Sequence, residues 1–577
     1  MQKVKPLAAL CLLCFGVMVL RAQVADTILV NGKIITIDAT DSIAEAVAIK
    51  SGKIVEVGIR DAVMKHAGPS TQIIDLHGRT ATPGLIDSHL HFAEVDSVYA
   101  IDLSKVHSVA DVQRLVKERA SKAKPGEWIT GQGWDEGKLA EHRYIRAADL
   151  DEVAPNNPVW LTHTTGHYGV GNNLALKMAH ISMDSKSPTA GTIDKDAHGQ
   201  PTGVLKEQAA MSLVTKLIPP YSHGQLRDGY LTTMAALNKE GVTGVKDPGM
   251  NAENWAIYSE LRDQGKLTIH LFALWRGGTT LAETQKAVDH ILALPRPTAQ
   301  KIGPDDDDVL ISGGVKLFMD GSGGARTAWM HKDWNKDFTG TDTGNRGYPL
   351  TDPEVYRQQV KLIHGAGIHV GTHAIGDRAI DWVVDTYAEV LKDKPVKGMR
   401  HSIIHANIPS DHAIDTMAAL QRDYDAGYPE AQAEFLYWIG DTYAGNFGPV
   451  RCLREMPFKT YLAKGVMWAG GSDYPVTPFP ARLGIWASMA RETLNGTYGK
   501  QPFGIAEAVD IHTALRSYTI WSAHQLFLED RIGSIEAGKD ADIAVWDRDP
   551  YTVPTVKVKD MKCKMTLFQG QVVYRED

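Results

Sequence analysis

Two histidines spaced i and i+2, His89 and His91, follow the short apolar run Leu85-Ile86 that the turn residues Pro83-Gly84 launch. Side chains alternate faces along a strand, so such a pair points the same way from a strand end. Imidazole nitrogens bind a divalent ion at about 2.0–2.1 Å, which demands convergence of this kind. Further along, polar residues close one apolar run after another: Lys316 in Gly313-Gly314-Val315-Lys316-Leu317-Phe318, His373 after Gly371-Thr372, His405 after Ile403-Ile404, and Asp473 after Gly470-Gly471-Ser472. Imidazoles with a carboxylate suit Zn²⁺ or a similar divalent ion. A lysine among apolar neighbours is penalised in its charged form, so more of it is neutral amine. That amine can take up CO₂ as a carbamate, an anion able to bridge two metals. A bound ion lowers the pKa of its water towards about 7. Asp473 is then suited to bind the ion, take the proton and return it to a leaving amine. Each residue alone is a weak signal, and their order carries the reading.

The elements that must position this set repeat along the chain. Between residues 81 and 524, apolar runs such as Val242-Thr243-Gly244-Val245, Ile269-His270-Leu271-Phe272, Ile368-His369-Val370 and Val466-Met467-Trp468-Ala469 alternate with helix-period stretches such as 353–366 and 377–391. Roughly eight such units predict an α/β fold, a (β/α)₈ TIM barrel, whose active site gathers at the carboxyl ends of the strands. Residues from about 95 to 215 are richer in loops and read as an insertion. Asn31-Gly32 joins two β-rich runs near the N-terminus, and Gln569-Gly570 does the same near the C-terminus. Neither end has enough strands to stand alone, so 23–80 and 525–577 are expected to form one composite β-sandwich.

Composition narrows the partners. With 577 residues, 43% hydrophobic and 23% charged, the chain is an ordinary globular protein of more than one domain. A formal net charge of -8 without a basic stripe argues against nucleic acid. The acidic run Asp305 to Asp308 reads as a solvated loop. Lys3 and Lys5 precede the apolar run Leu7 to Leu20, and residues 1–22 resemble a secretory signal cleaved after Ala22. The expectation is an exported, periplasmic protein without a membrane anchor after cleavage. Its partner is a small-molecule substrate, and oligomerisation is left open. Of four cysteines only Cys452 and Cys563 remain after cleavage, too few for a disulfide framework.

The ordered set resembles the amidohydrolase superfamily, and within it amidohydrolase family 3, the branch that contains N-substituted formamide deformylase. The similarity is carried by Pro83-Gly84-Leu85-Ile86-Asp87-Ser88-His89-Leu90-His91, Val315-Lys316-Leu317-Phe318-Met319-Asp320-Gly321-Ser322, His373-Ala374-Ile375-Gly376-Asp377 and Gly471-Ser472-Asp473-Tyr474-Pro475. The resemblance implies that His89 and His91 hold one metal and that His373 and His405 hold a second. It also implies that Lys316, carbamylated, bridges the two, and that Asp473 is both ligand and general base. The cofactor is then a divalent ion, zinc by preference, one or two per chain. Similarity around Gly133-Trp134-Asp135 and Gly166-His167 makes Trp134 and His167 candidates for the substrate pocket. Two positions depart from the branch pattern: Ile404 stands where Glu is usual, and Gln432-Ala433 where Gln-Pro is common.

The leading expectation is a metal-dependent hydrolase that cleaves a non-peptide amide or another C–N bond. The alternatives are a single-metal deaminase of the same superfamily, which has no need of a bridging lysine, and an exported binding protein that has lost catalysis.

Overall fold

Eight parallel strands run in chain order around a barrel. They are β1 (Leu85–Asp87), β2 (Val242–Met250), β3 (His270–Arg276), β4 (Leu310–Phe318), β5 (His369–Ala374), β6 (Ser402–His405), β7 (Tyr428–Ala431) and β8 (Ala469–Gly470). The computed structural model describes residues 23–92, 95–294, 306–335, 344–496 and 504–576; the expected leader, 1–22, lies outside them. The barrel strands are almost wholly buried, because parallel strands are covered on both faces. β1 and β8 do not share a ladder; Ser88 N donates to Gly470 O at 2.9 Å and closes the ring at that edge.

Sequence chemistry sets the covering helices. Asp352 accepts hydrogen bonds from the backbone of Glu354 and Val355, and Pro353 opens the helix Pro353–Gly365. The helix Asp377–Asp393 buries one stripe, including Ile380, Val383, Val384, Tyr387 and Leu391.

Both termini enter one sandwich. Ile543–Trp546 pairs antiparallel with Thr80–Pro83, so C-terminal strands complete a six-stranded sheet with N-terminal ones. That sheet packs on a four-stranded sheet of N-terminal residues through Leu29, Val47, Ile49, Ile543 and Leu567. A third sheet, drawn from residues 101–206, has its own core around Val112, Trp134, Leu161 and Tyr168. Among the described residues no helix is long and apolar enough to cross a membrane.

The acidic run differs from its expectation. Asp305 lies outside the described residues, but Asp308 is buried and pairs with Arg531 at 2.7 Å, and Asp307 pairs with Arg262 at 3.0 Å. Asp308 thus faces a cation at the seam between barrel and sandwich, while Asp307 remains partly open to solvent.

His270, at the start of β3, belongs to the same seam. Its Nδ1 donates to Asp308 O at 2.6 Å, and its Nε2 lies 2.9 Å from Asp542 Oδ2. Burial opposes protonation, yet Asp542, with Asp308 and Asp540 behind it, raises the imidazole to about 9. The unfolded ring titrates near 6.5, so the contribution is fully present below that pH and is lost as pH rises towards 9. Its size is about 3 kcal/mol. In thermal denaturation, the gap in Tm between the native protein and His270→Gln should be widest below about pH 6.5 and should narrow by about pH 9.

Candidate metal centre

The loops after β1 and β8 are stitched together by one carboxylate. Asp87, the last residue of β1, accepts from His89 N at 3.1 Å and from Ser472 N and Oγ at 3.0 and 2.6 Å. Asp473 N donates to His89 O at 2.7 Å, and His91 N donates to Tyr474 O at 2.8 Å. Burial pushes Asp87 up to about 7 against these hydrogen bonds. The result is that His89, His91 and Asp473 converge from opposite ends of the barrel sheet. His89 Nε2 and His91 Nε2 lie 3.3 and 3.1 Å from the same atom, Asp473 Oδ1.

Those separations suit a shared ion. Ligand atoms about 2.0–2.2 Å from one tetrahedral centre stand about 3.3 Å apart. His89 Nε2 and Asp473 Oδ1 are buried without a hydrogen-bond partner, which is costly unless another group satisfies them. The protonation state fits too. Burial alone would raise Asp473, but His89, His91 and His405 hold it well below the carboxylate range. A metal needs such a deprotonated carboxylate beside neutral imidazoles.

His373 and His405 adjoin this trio, their ring centroids 4.5 Å apart and His405 5.2 Å from His89. His373 Nε2 donates to Gly321 O at 3.0 Å, which leaves Nδ1 with its lone pair. His405 Nδ1 donates to Gln432 Oε1 at 2.7 Å, which leaves Nε2. Burial, with neighbouring cationic groups, drives both imidazoles well below their ordinary value, so both are neutral. Lys316 is buried at the end of β4, and its charge acts on His373 and His405. Burial lowers its ammonium to about 7 although Asp473 and Glu430 oppose the change. Near neutral pH roughly half of it is free amine.

His167 is brought to the same place, 5.1 Å from the His373 ring. Its Nδ1 meets Glu207 Oε2 at 2.8 Å. Burial disfavours its charge, but Glu207, helped by Asp473 and Asp320, raises it above the ordinary value. Trp134 is not brought there. It is fully buried in the core of the inserted sheet, its Nε1 donates to Leu161 O at 3.1 Å, and its ring packs on His163 and Tyr168. Its large apolar ring is part of that core.

Sequence reasoning missed several groups. Glu430 on β7 pairs with Lys246 on β2 at 2.6 Å, both completely buried, and faces His89 Nδ1 at 3.5 Å. Burial would raise Glu430, but Lys246 and His89 hold it ionised. Asp320 accepts backbone N–H groups from Trp329, Ile375 and Gly376 at 2.8 to 3.0 Å and so ties the loop after β4 to the loop after β5. Asp135, Glu136 and His163 form a second buried group. There Tyr168 OH meets Glu136 and His163, and Thr165 meets His163 Nδ1, so the polar atoms satisfy one another.

A family model described as "Amidohydrolase family" matches residues 72–574. N-substituted formamide deformylase of Arthrobacter pascens is 29% identical over 577 residues, covering 96% of this chain and 99% of its own. Protein LONG AFTER FAR-RED 3 of Arabidopsis thaliana is 30% identical over 545 residues, covering 91% of this chain and 88% of its own. A metal-dependent hydrolase from Pyrococcus horikoshii OT3 superposes with a TM-score of 0.69 at 25% identity, covering 92% of this chain and 99% of its own.

The buried pair behind His89 yields a separable prediction. Glu430→Gln strands Lys246 and should cost about 3–5 kcal/mol in chemical denaturation. Adding Lys246→Met should recover most of that stability. Metal affinity, read by chelator competition, should stay about 10–100-fold weaker in the double variant, because His89 has lost its facing carboxylate.

Proposed function

The chain belongs to the amidohydrolase family, and from that premise we propose that it is an exported hydrolase that uses two divalent ions, zinc by preference, to cleave a non-peptide amide or a related C–N bond. The observation that carries this reading is the placement of His89 Nε2 and His91 Nε2 around Asp473 Oδ1. His89, His91 and Asp473 would hold one ion, and His373 through Nδ1 with His405 through Nε2 would hold the second. Lys316 would bridge them after its neutral amine attacks CO₂ and loses a proton, which replaces a buried cation by an anion. When bound, the ions supply a Lewis acid and a water acidified towards neutral pH.

The side chains do the rest. Asp473 accepts the proton of the attacking water and passes it to the departing nitrogen. The raised pKa of His167 keeps it a hydrogen-bond donor. Glu207 occupies its Nδ1, so Nε2 on the opposite edge of the ring is the atom to meet a carbonyl oxygen as negative charge develops. Gly321 O and Gln432 hold the rings of the second pair in place. Export is supported by the charged and apolar pattern of residues 1–22. A small-molecule substrate fits a site enclosed by strand ends and loops.

Metal content of protein purified without chelator and with bicarbonate tests the reading. We expect about two equivalents per chain, falling towards one in Lys316→Ala. Asp473→Asn should lower the kcat for N-formyl or N-acyl amines by about 10²–10⁴-fold with the fold intact by circular dichroism. One equivalent indifferent to Lys316→Ala would favour a single-metal deaminase. Metal-free protein that binds but never hydrolyses such compounds would favour a binding protein.

A further inference from the structure

Arg276 ends β3 at the mouth of the barrel, and the strand geometry directs it at the candidate site. Its neighbour Trp275 is buried on the other face, donating Nε1 to Ser312 Oγ at 2.9 Å and packing on His290. Side chains alternate along a strand, so Arg276 turns the opposite way. In the parallel ladder its Cα partner is Lys316, and paired residues project to the same face. Unlike Lys316, Arg276 is exposed.

Its position is fixed by one contact. Arg276 Nε donates to Gly249 O at 3.1 Å. A Cβ built on Gly249 would sit 3.5 Å from Arg276 Nη2 and 3.8 Å from His91 Nδ1, so the guanidinium and the imidazole flank the same glycine. His91 is also the most open of the trio, 21% exposed where His89 and Asp473 are 0% and 7%. The cluster therefore opens to solvent on the side where Arg276 stands. Among the described residues no carboxylate pairs with this guanidinium. The nearest acid on that glycine, Asp247, is turned to Gly249 N at 2.9 Å and Tyr258 OH at 3.3 Å. A guanidinium has five N–H donors and here commits one of them to the backbone, which leaves its outer edge as a two-pronged donor.

We propose that Arg276 is the specificity residue that receives a carboxylate on the substrate, so that the compound cleaved is an amide bearing an anionic group a few bonds from its scissile carbon. This rests on the hydrolase reading for the reaction but not for the recognition, and the two are tested separately.

Recognition is read with compounds that contain no amide: N-methylsulfonylglycine and its neutral twin N-methylsulfonylethanolamine, titrated calorimetrically into the metal-loaded full chain. The native protein should bind the carboxylate at least about tenfold more tightly than the alcohol. Arg276→Gln should abolish that preference while leaving metal content unchanged, and Arg276→Lys should retain part of it, because the charge remains and the fork is lost. If Arg276 merely tethers Gly249, Arg276→Gln would weaken both twins equally, and the proposal falls. Equal affinity of the native protein for the twins, or a preference that survives Arg276→Gln, also overturns it. Turnover is read apart, with N-acetylglycine and N-acetylethanolamine. A charge preference in binding with no hydrolysis of either compound would sustain Arg276 and remove the hydrolase reading. Hydrolysis with no charge preference would do the reverse.

Discussion

The structure depends on how the barrel closes between its first and last strands. β1 has three residues and β8 two, and the two share no ladder. Closure is made instead by loop backbone and by Asp87, which draws His89 N and both polar groups of Ser472 to one carboxylate. His89 is itself one of those anchors, and Asp473 directly follows the other, Ser472. The bonds that complete the barrel are therefore the bonds that assemble the candidate metal site. The backbone is strained there: Asp473 has φ 57°, and His405 and Ala406 have φ 74° and 45°. Such left-handed non-glycine residues persist where surrounding contacts over-determine them, and they cluster at functional sites.

Charge is the second constraint. Two carboxylates, two lysines and several imidazoles are buried together, and each isolated charge would be expensive. The arrangement divides them into layers. Glu430 and Lys246 neutralise one another beneath His89. Above them His373 and His405 are neutral, Asp473 is ionised, and Lys316 is close to losing its proton. This leaves lone pairs facing one another with few hydrogens between them. Packing cannot relieve that condition, and divalent cations can.

The order His-x-His, Lys, His, His, Asp was legible because each residue ends an apolar run, and barrel geometry converts strand ends into neighbours. The second layer was not legible, for local reasons. Pro429 interrupts the pattern of β7 and hides Glu430, since proline argues against a central strand. Lys246 follows Val242-Thr243-Gly244-Val245 directly, but the β2 strand runs on through Met250, beyond the apolar residues that announced it. Trp134 was a candidate only through resemblance around Gly133-Trp134-Asp135, and which core its ring joins is settled by packing that a linear reading does not reach. Ile404 drew attention as a departure from the family pattern, yet it is packed with Phe272, Leu274 and Phe527 below the site, and His405 takes its support from Gln432. The pairing of β6 with β7, which sets Ile404 opposite Glu430, is a non-local fact that a linear reading does not reach.

A division of labour follows from the same geometry. Every candidate metal ligand comes from the barrel, at the ends of β1, β4, β5, β6 and β8. The inserted sheet contributes His167 and Glu207, which reach the cluster through the His167–His373 contact and the Glu207–Thr327 hydrogen bond. Chemistry that activates water needs fixed ligands, and the closed barrel provides them. The insertion, which has its own hydrophobic core, adds groups around those ligands without supplying any of them. Changes in the insertion can then alter what surrounds the cluster while Asp87 continues to hold β1 and β8 together.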